Sequence, residues 1–191
     1  MKRKGIAEKP LLSWFGASAE RIAILAVGLP GGRAIPTHVA REITIHHFRA
    51  DFAWLFLPTS HDEAPHLMFI ELQGALHTSI FKLKGKRTPE WSMDFLSGFG
   101  QLVDWNCFSG EIAEWSALTK LVVSHTREVR VDYALVAGLS EDIRDKLSER
   151  RLNHWREKVR LGNNLHLSTF DELPNHAKGW CELVKAALSI H

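Results

Sequence analysis

Two apolar stretches that carry acidic residues decide the fold: 49-RADFAWLFL-57 and 67-LMFIELQ-73. Short apolar runs bounded by polar or turn residues are typical of strands in a sheet. Because side chains alternate along a strand, Phe69, Glu71 and Gln73 share one face, and the residues between them face the core. The sequence therefore predicts a carboxylate and an amide side by side on one strand.

The loop between these strands sets how they pair. A hairpin folded symmetrically about Asp62 places Asp51 opposite Gln73 and diagonal to Glu71. Two carboxylates that are so close repel each other unless a cation lies between them, and Mg²⁺ accepts one or two protein carboxylates together with water and phosphate. Spacing alone leaves an alternative, in which Asp51 and Glu71 merely lie at a solvated strand end.

The rest of the chain alternates helical and strand-like patterns. A helix is predicted over Leu11 to Val27, before the turn cluster at Gly28, and a long amphipathic helix begins at Pro89 after Thr88. Ser140 is predicted to cap a later helix that ends near residue 162. Further strands are predicted at Arg41–Phe48, Val129–Ala137 and Leu165–Thr169, and a closing helix at Leu173–Ser189. This order predicts an α/β domain with a central mixed β-sheet flanked by helices.

Composition narrows the class of protein. The 191 residues are 45% hydrophobic and 24% charged with a formal net charge of +2, which is typical of a globular domain and shows no global affinity for polyanions. Cys107 and Cys181 form no paired motif, so a reducing cytoplasm is expected. No apolar run approaches the roughly 20 residues of a membrane span, so no membrane partner is expected. Charges at Glu8 and Lys9 interrupt the N-terminal apolar stretch, which argues against a signal peptide.

Asp51, an apolar strand and then Glu71-x-Gln73 resemble the PD-(D/E)XK phosphodiesterase motif. The resemblance implies a restriction-endonuclease-like fold and a Mg²⁺ (or Mn²⁺) cofactor held by Asp51 and Glu71. Asp51, Glu71 and Gln73 are then the catalytic residues. Gln73 stands where the motif usually has Lys; an amide can position a water through hydrogen bonds, and Lys82 or Lys84 could supply the cation.

Gln101-Leu-Val-Asp-Trp105 resembles the Q-x-x-x-Y/W element of RecB-like nucleases. That resemblance implies that Gln101 and Trp105 help to line a nucleic-acid channel. Members of the superfamily often have a helical Glu ahead of the strands as a further metal contact, and Glu20 is the candidate for this role.

The order of motifs resembles the C-terminal nuclease domain of the Shedu anti-phage proteins. The matching segments are Arg49-Ala-Asp51-Phe52, Ile70-Glu71-Leu72-Gln73, Gln101-Leu-Val-Asp104-Trp105, Leu135-Val-Ala-Gly138 and Thr169-Phe-Asp171-Glu-Leu173. They span roughly residues 39 to 175. We therefore expect residues 1–38 to form an N-terminal helical lead-in and residues 39–191 the PD-(D/E)XK nuclease-like domain, in one compact unit.

A basic cluster follows the Glu71 strand, and its members are Lys82, Lys84, Lys86 and Arg87. Cations there would hold phosphates through counterion release, although a solvated loop has the same composition. DNA is the expected partner, with RNA as an alternative, and we expect a homo-oligomer. His61, Asp62, Glu63 and His66 lack a regular ligand spacing, which argues against zinc.

The resemblances imply a Mg²⁺-dependent DNA endonuclease of bacterial anti-phage defence. The rival prediction is a degenerate nuclease fold retained for nucleic-acid binding or protein assembly, with Gln73 marking lost catalysis. A metabolic α/β enzyme is a third possibility, but no cofactor motif supports it.

Overall fold

A computed structural model describes residues 5–30, 35–60, 63–82, 89–108, 128–143 and 145–188. The described helices are α1 (Glu8–Phe15), α2 (Ala19–Val27), α3 (Met93–Cys107), α4 (Lys146–Lys158) and α5 (Leu173–Leu188), with a 3₁₀ turn at Ser140–Asp142. The strands are β1 (His38–Ile45), β2 (Phe48–Phe56), β3 (His66–Leu72), β4 (Phe81–Lys82), β5 (Glu90–Trp91), β6 (Arg130–Val136) and β7 (Asn164–Ser168).

Five strands form the central sheet in the order β1-β2-β3-β6-β7. β1, β2 and β3 pair antiparallel, whereas β3, β6 and β7 pair parallel. β4 and β5 form a separate two-stranded ribbon. The predicted mixed sheet flanked by helices is confirmed, and the parallel half aligns the C-terminal ends of β3, β6 and β7 at one edge.

Helices cover both faces of the sheet. On one face, α3 and α4 bury Leu102, Trp105 and Leu152 against Phe69. On the other face, the apolar side chains of α1, α2 and the start of α5 pack on Met68, Ile70 and Leu72, among other residues. β3 is therefore buried on both sides, and its alternation places Glu71 on the same face as Phe69, as predicted.

The predicted helix over Leu11–Val27 is instead two helices that meet at a bend of 110°. α1 ends at Gly16, and Ser18 begins α2 by accepting a hydrogen bond from the Arg21 N–H. Ser18 is the N-cap residue that marks the start of a second helix, but the helical spacing of the apolar residues continues across it and predicted one helix. In the described part of the chain no single helix is long and apolar enough to cross a membrane, and only the bent pair α1 and α2 together meets that test of length and composition.

Two other helices start later than predicted. α3 begins at Met93 because the Ser92 side chain caps it, accepting from the Phe95 N–H at 2.9 Å, while Glu90 and Trp91 pair with β4. α4 begins at Lys146 because Asp145, and not Ser140, accepts from two N–H groups of its first turn. In both cases a cap residue later in the chain decides the boundary.

The hairpin register also differs from the prediction. Phe52 pairs with Ile70 and Phe56 with His66, so the hairpin is centred one residue earlier than Asp62. One step in the centre moves the register by two residues, which preserves the faces. Continuing the observed register places Asp51 opposite Glu71, and not opposite Gln73.

The N-terminal segment joins the sheet region directly. Ile6 and Ala75 form an antiparallel bridge with two backbone hydrogen bonds, of 3.2 and 2.8 Å. This bridge brings the start of α1 beside the chain that leaves β3. Residues 5–30, assigned by sequence to a lead-in, thus cover one face of the sheet and border the C-terminal end of β3.

Candidate functional site

Asp51 lies where the regular pairing of β2 breaks. The β1–β2 ladder is interrupted between the pairs Arg41–Phe52 and Ile43–Ala50, where Glu42 has a φ of 53°. The Asp51 side chain instead accepts a hydrogen bond from the Leu72 N–H at 2.8 Å. A carboxylate thus replaces a backbone acceptor between β2 and β3.

Glu71 is 4% exposed, and two amides hold one of its oxygens. Oε1 accepts from Gln101 Nε2 at 2.7 Å and from Gln73 Nε2 at 3.3 Å. Oε2 is buried and receives no hydrogen bond from any residue that the structure describes. A buried carboxylate oxygen without a donor is costly, so this atom requires either a proton or a cation.

The electrostatics of the pair agree with this requirement. Burial, followed by the charges of Asp51 and Glu8, raises the pKa of Glu71 to about 9. Burial also raises the pKa of Asp51 to about 6, although the Leu72 N–H opposes the shift. Without a cation the two carboxyl groups share a proton, because like charges this close do not both ionise at neutral pH.

The negative charge of Glu8, the first residue of α1, contributes to raising the pKa of both Asp51 and Glu71. Glu20, the sequence candidate for the helical acid, is fully exposed, and its hydrogen bond with Ser18 lowers its pKa. Glu8 is thus the helical acid whose charge reaches the pair, and the role of Glu20 stays a prediction. The available signal was an acid in the first turn of a short helix, which is visible only once α1 is separated from α2.

Gln73 is 6% exposed and lies beneath α3. A Cβ added at Gly98 would approach Gln73 Nε2 to 3.1 Å and Leu135 Cδ1 to 2.8 Å, so a glycine is what allows α3 to close over the amide. Lys82, proposed to replace the missing cation, instead lies 3.7 Å from Glu90 Oε2 in an exposed ion pair. Lys84, Lys86 and Arg87 lie outside the described residues.

The two residues of the Q-x-x-x-Y/W element, both on α3, lie in different surroundings in the structure. Gln101 reaches the site through its bond to Glu71. Trp105 is fully buried, with its ring 6.4 Å from that of Phe69. The structure thus places Trp105 in the core and not on a surface that nucleic acid can reach, because α3 turns that face onto the sheet.

The donor set suits a hard divalent cation. No three His, Cys, Asp or Glu side chains converge as a metal site within the described ranges, which does not fit a closed structural zinc site there. Asp51 and Glu71 supply two carboxylates, and the unpaired Glu71 Oε2 offers a ligand atom. Mg²⁺ and Mn²⁺ accept such a pair and complete their shell with water and phosphate oxygens.

A family model described as Shedu protein SduA, C-terminal, matches residues 14–173. The chain belongs to this family. The match covers all the described strands, β1 to β7, and includes Asp51, Glu71, Gln73 and Gln101. Glu8 lies before the matched residues. The resemblance to the Shedu family is confirmed, and the match begins earlier than the predicted residue 39. No curated protein matches the chain.

Proposed function

We propose that this Shedu-family chain is a Mg²⁺-dependent DNA endonuclease that acts in anti-phage defence in the bacterial cytoplasm. The observation that carries the proposal is the buried Asp51–Glu71 pair, in which Glu71 Oε2 receives no hydrogen bond from a described residue. Membership in the Shedu family supports the assignment to defence. The likeness of Asp51, Glu71 and Gln73 to the PD-(D/E)XK motif supports the reaction class.

The residues of the site divide the work of binding and orientation. Asp51 and Glu71 would hold the cation, which when bound stabilises negative charge on the scissile phosphate. Gln101 and Gln73 hold Glu71 Oε1 and so leave Oε2 as the oxygen that can bind the cation. The remaining oxygen of the Gln73 amide can accept from an attacking water and orient it.

The test is cleavage of plasmid DNA, single-stranded DNA and RNA by the purified chain with Mg²⁺ or Mn²⁺. We expect cleavage by the wild-type protein and its loss in Glu71→Gln, which keeps the shape of the side chain and removes its charge. Glu20→Gln is the matched control, because Glu20 is exposed and separate from the pair. A folded wild-type protein that binds the cation and cleaves none of these substrates would contradict the proposal.

The alternative function is a degenerate nuclease fold that binds nucleic acid or assembles with proteins. The observation that favours it is Gln73, since a neutral amide stands where the motif usually has a cation. Gln73→Lys separates the two functions, because a cation beside an otherwise competent site would increase cleavage. Absence of cleavage in both proteins, with binding retained, would support the degenerate module.

DNA is the proposed partner, and the substrate panel above distinguishes it from RNA. Lys82 is the one member of the predicted basic cluster that the structure describes, and its exposed position suits a phosphate contact. Lys82→Ala should weaken binding of all sequences equally. We also propose that the chain forms a homo-oligomer, which light scattering coupled to size-exclusion chromatography tests.

A further inference from the structure

An aromatic surface lies at the turn between β1 and β2, and we call it the aromatic ledge. It consists of His46, Phe48 and Phe108. The His46 ring stacks on the Phe108 ring with 4.7 Å between centroids and 12° between planes, and Phe48 packs on Phe108 at 5.6 Å. His46 is exposed and Phe108 is half-buried. The ledge therefore presents a partly solvated aromatic surface between a turn and the end of α3, with the centroid of the His47 ring 3.9 Å from that of His46 in an edge contact.

The ledge lies at the same end of the sheet as the carboxylate pair. Phe48 precedes Asp51 by three residues on β2, which is about 10 Å along a strand. A strand whose phosphate is at Asp51 therefore has a nearby nucleotide within reach of the ledge.

An arginine lies between the two features. Arg49 follows Phe48 and is 68% exposed in its side chain, and its ion pair with Glu42 is long, at 3.7 Å. Arg49 is two residues before Asp51 on β2, about 7 Å along the strand, and its charge lowers the pKa of Asp51. The exposed Arg49 side chain can therefore exchange its long ion pair with Glu42 for a phosphate between the ledge and the carboxylate pair.

We infer that the aromatic ledge stacks an unpaired base of the bound strand while Arg49 binds the phosphate next to it. The bases of an intact duplex stack on one another, so only single-stranded or locally unpaired nucleic acid can offer a base to this surface. The inference deepens the proposed function and rests on it for the position of the cleaved phosphate. It assigns the substrate class as nucleic acid with at least one unpaired base near the cut.

Binding measured in EDTA tests this inference without any cleavage. The probes are a single strand containing 2-aminopurine, a fully paired duplex, and the same duplex with one unpaired 2-aminopurine. We expect the wild-type protein to bind the two unpaired probes more tightly than the duplex and to quench 2-aminopurine fluorescence by stacking. His46→Asn should weaken binding of the unpaired probes about tenfold, the usual effect of losing one base–aromatic stack, and leave duplex binding unchanged.

The variants are chosen to fold. Asn tolerates the left-handed backbone at His46, whose φ is 53°. His38→Asn is the matched control, since His38 is also exposed but lies at the far end of β1. Arg49→Ala should weaken all probes and make the slope of log affinity against log salt shallower by about 0.7 for a single strand, whereas Arg160→Ala should not.

Two results would overturn the inference that the ledge stacks a base. One is equal affinity of the wild-type and His46→Asn proteins for the unpaired probes, and the other is unchanged 2-aminopurine fluorescence. These outcomes are separate from the fate of the nuclease proposal. Cleavage with an indifferent His46 would reject the ledge alone. Stacking that depends on His46 in a protein without cleavage would support the ledge and reject the nuclease.

Discussion

The parallel strands carry a buried acid near each end of the sheet. The two acids differ in the hydrogen bonds that they receive. At the C-terminal end of β3, Glu71 Oε2 receives no hydrogen bond from a described residue. At the other end, Asp132 in β6 is fully buried and accepts from His66 at 2.9 Å, from His166 at 3.3 Å and from Arg130 at 3.2 Å. β3 contributes to both ends, through Glu71 and His66.

The difference in donors sets the direction of the pKa shifts. Burial by itself raises the pKa of Asp132, but hydrogen bonds from His166, His66 and Arg130 lower it well below its usual range. Glu71 is similarly buried and has its pKa raised, because Asp51 and Glu8 add like charges. The satisfied acid holds three strands together, and the unsatisfied pair is the one that a cation would complete.

The largest effect is expected at the satisfied end. Asp132→Asn removes the charge that three donors share and should lower the free energy of unfolding by about 3 kcal/mol, as when a buried ion pair loses one partner. Urea denaturation at pH 7 measures this loss. Glu71→Gln, the same chemical change at the other end, serves as the control. A loss below about 1 kcal/mol for Asp132→Asn would break the contrast between the two ends.

Glu71→Gln should raise the free energy of unfolding, whereas Asp132→Asn should lower it. The raised pKa of Glu71 means that, without a cation, folding favours the protonated form, so wild-type stability falls as pH rises from about 4.5 to about 9. The variant stays neutral, and its new N–H group can donate to Asp51. At pH 8 in EDTA its free energy of unfolding should exceed that of wild type by about 1–3 kcal/mol, and added Mg²⁺ should stabilise only the wild type. Parallel stability–pH curves for the two proteins would contradict this.

Lowering the pH should reduce the stability that Asp132 contributes, whereas it favours the protonated form of Glu71. The lowered pKa of Asp132 contributes stability that is present above about pH 4, the pKa of an unfolded Asp, and lost as pH falls below it. Asp132→Asn should therefore show a smaller acid-dependent loss than the wild type, and Asp145, Asp171 and Glu172, whose pKa values are also lowered, contribute to the remainder. Thermal unfolding from pH 5 to pH 2 measures it, and an unchanged pH slope in the variant would count against the network.

A smaller effect is expected where α3 closes over the site. Gly98→Ala places a methyl group 2.8 Å from Leu135 Cδ1 and 3.1 Å from Gln73, and should cost about 1–3 kcal/mol through overpacking. Gly100→Ala is the matched control, since nothing lies within 4 Å of its added Cβ and alanine favours a helix by about 1 kcal/mol. Equal stabilisation in both variants would show that α3 does not close tightly on Gln73.

The smallest effect is expected at Glu8. Removing its charge in Glu8→Gln should lower the pKa values of Asp51 and Glu71 and weaken cation binding less than tenfold, because Glu8 is only partly buried. Glu20→Gln should leave both unchanged. Calorimetric titration with Mn²⁺ compares the two variants. A stronger effect from Glu20 would support the assignment made from sequence.

Sequence patterns predicted the five strands of the central sheet and the helix α3 because each depends on local periodicity. The alternation in 67-LMFIELQ-73 sufficed to place Glu71 opposite the face of Ile70, whereas Gln101 was singled out by its resemblance to the Q-x-x-x-Y/W element. Boundaries were less certain where two caps compete, as with Ser140 and Asp145. The assignment of Glu20 as the helical acid stays a prediction, and the structure adds that the charge of Glu8 acts on both carboxyl groups.

The sequence by itself determined the mixed α/β sheet and the faces of its strands, since periodicities of 2 and 3.6 residues are properties of the local chain. Only the tertiary structure decided which acids meet, which oxygen lacks a donor and which aromatic residue is exposed. The Ile6–Ala75 bridge brings Glu8 to Asp51 across more than 40 residues, and the packing of α3 buries Trp105 while leaving Phe108 at the ledge. These outcomes depend on distances between segments remote in sequence, and no local pattern encodes such distances.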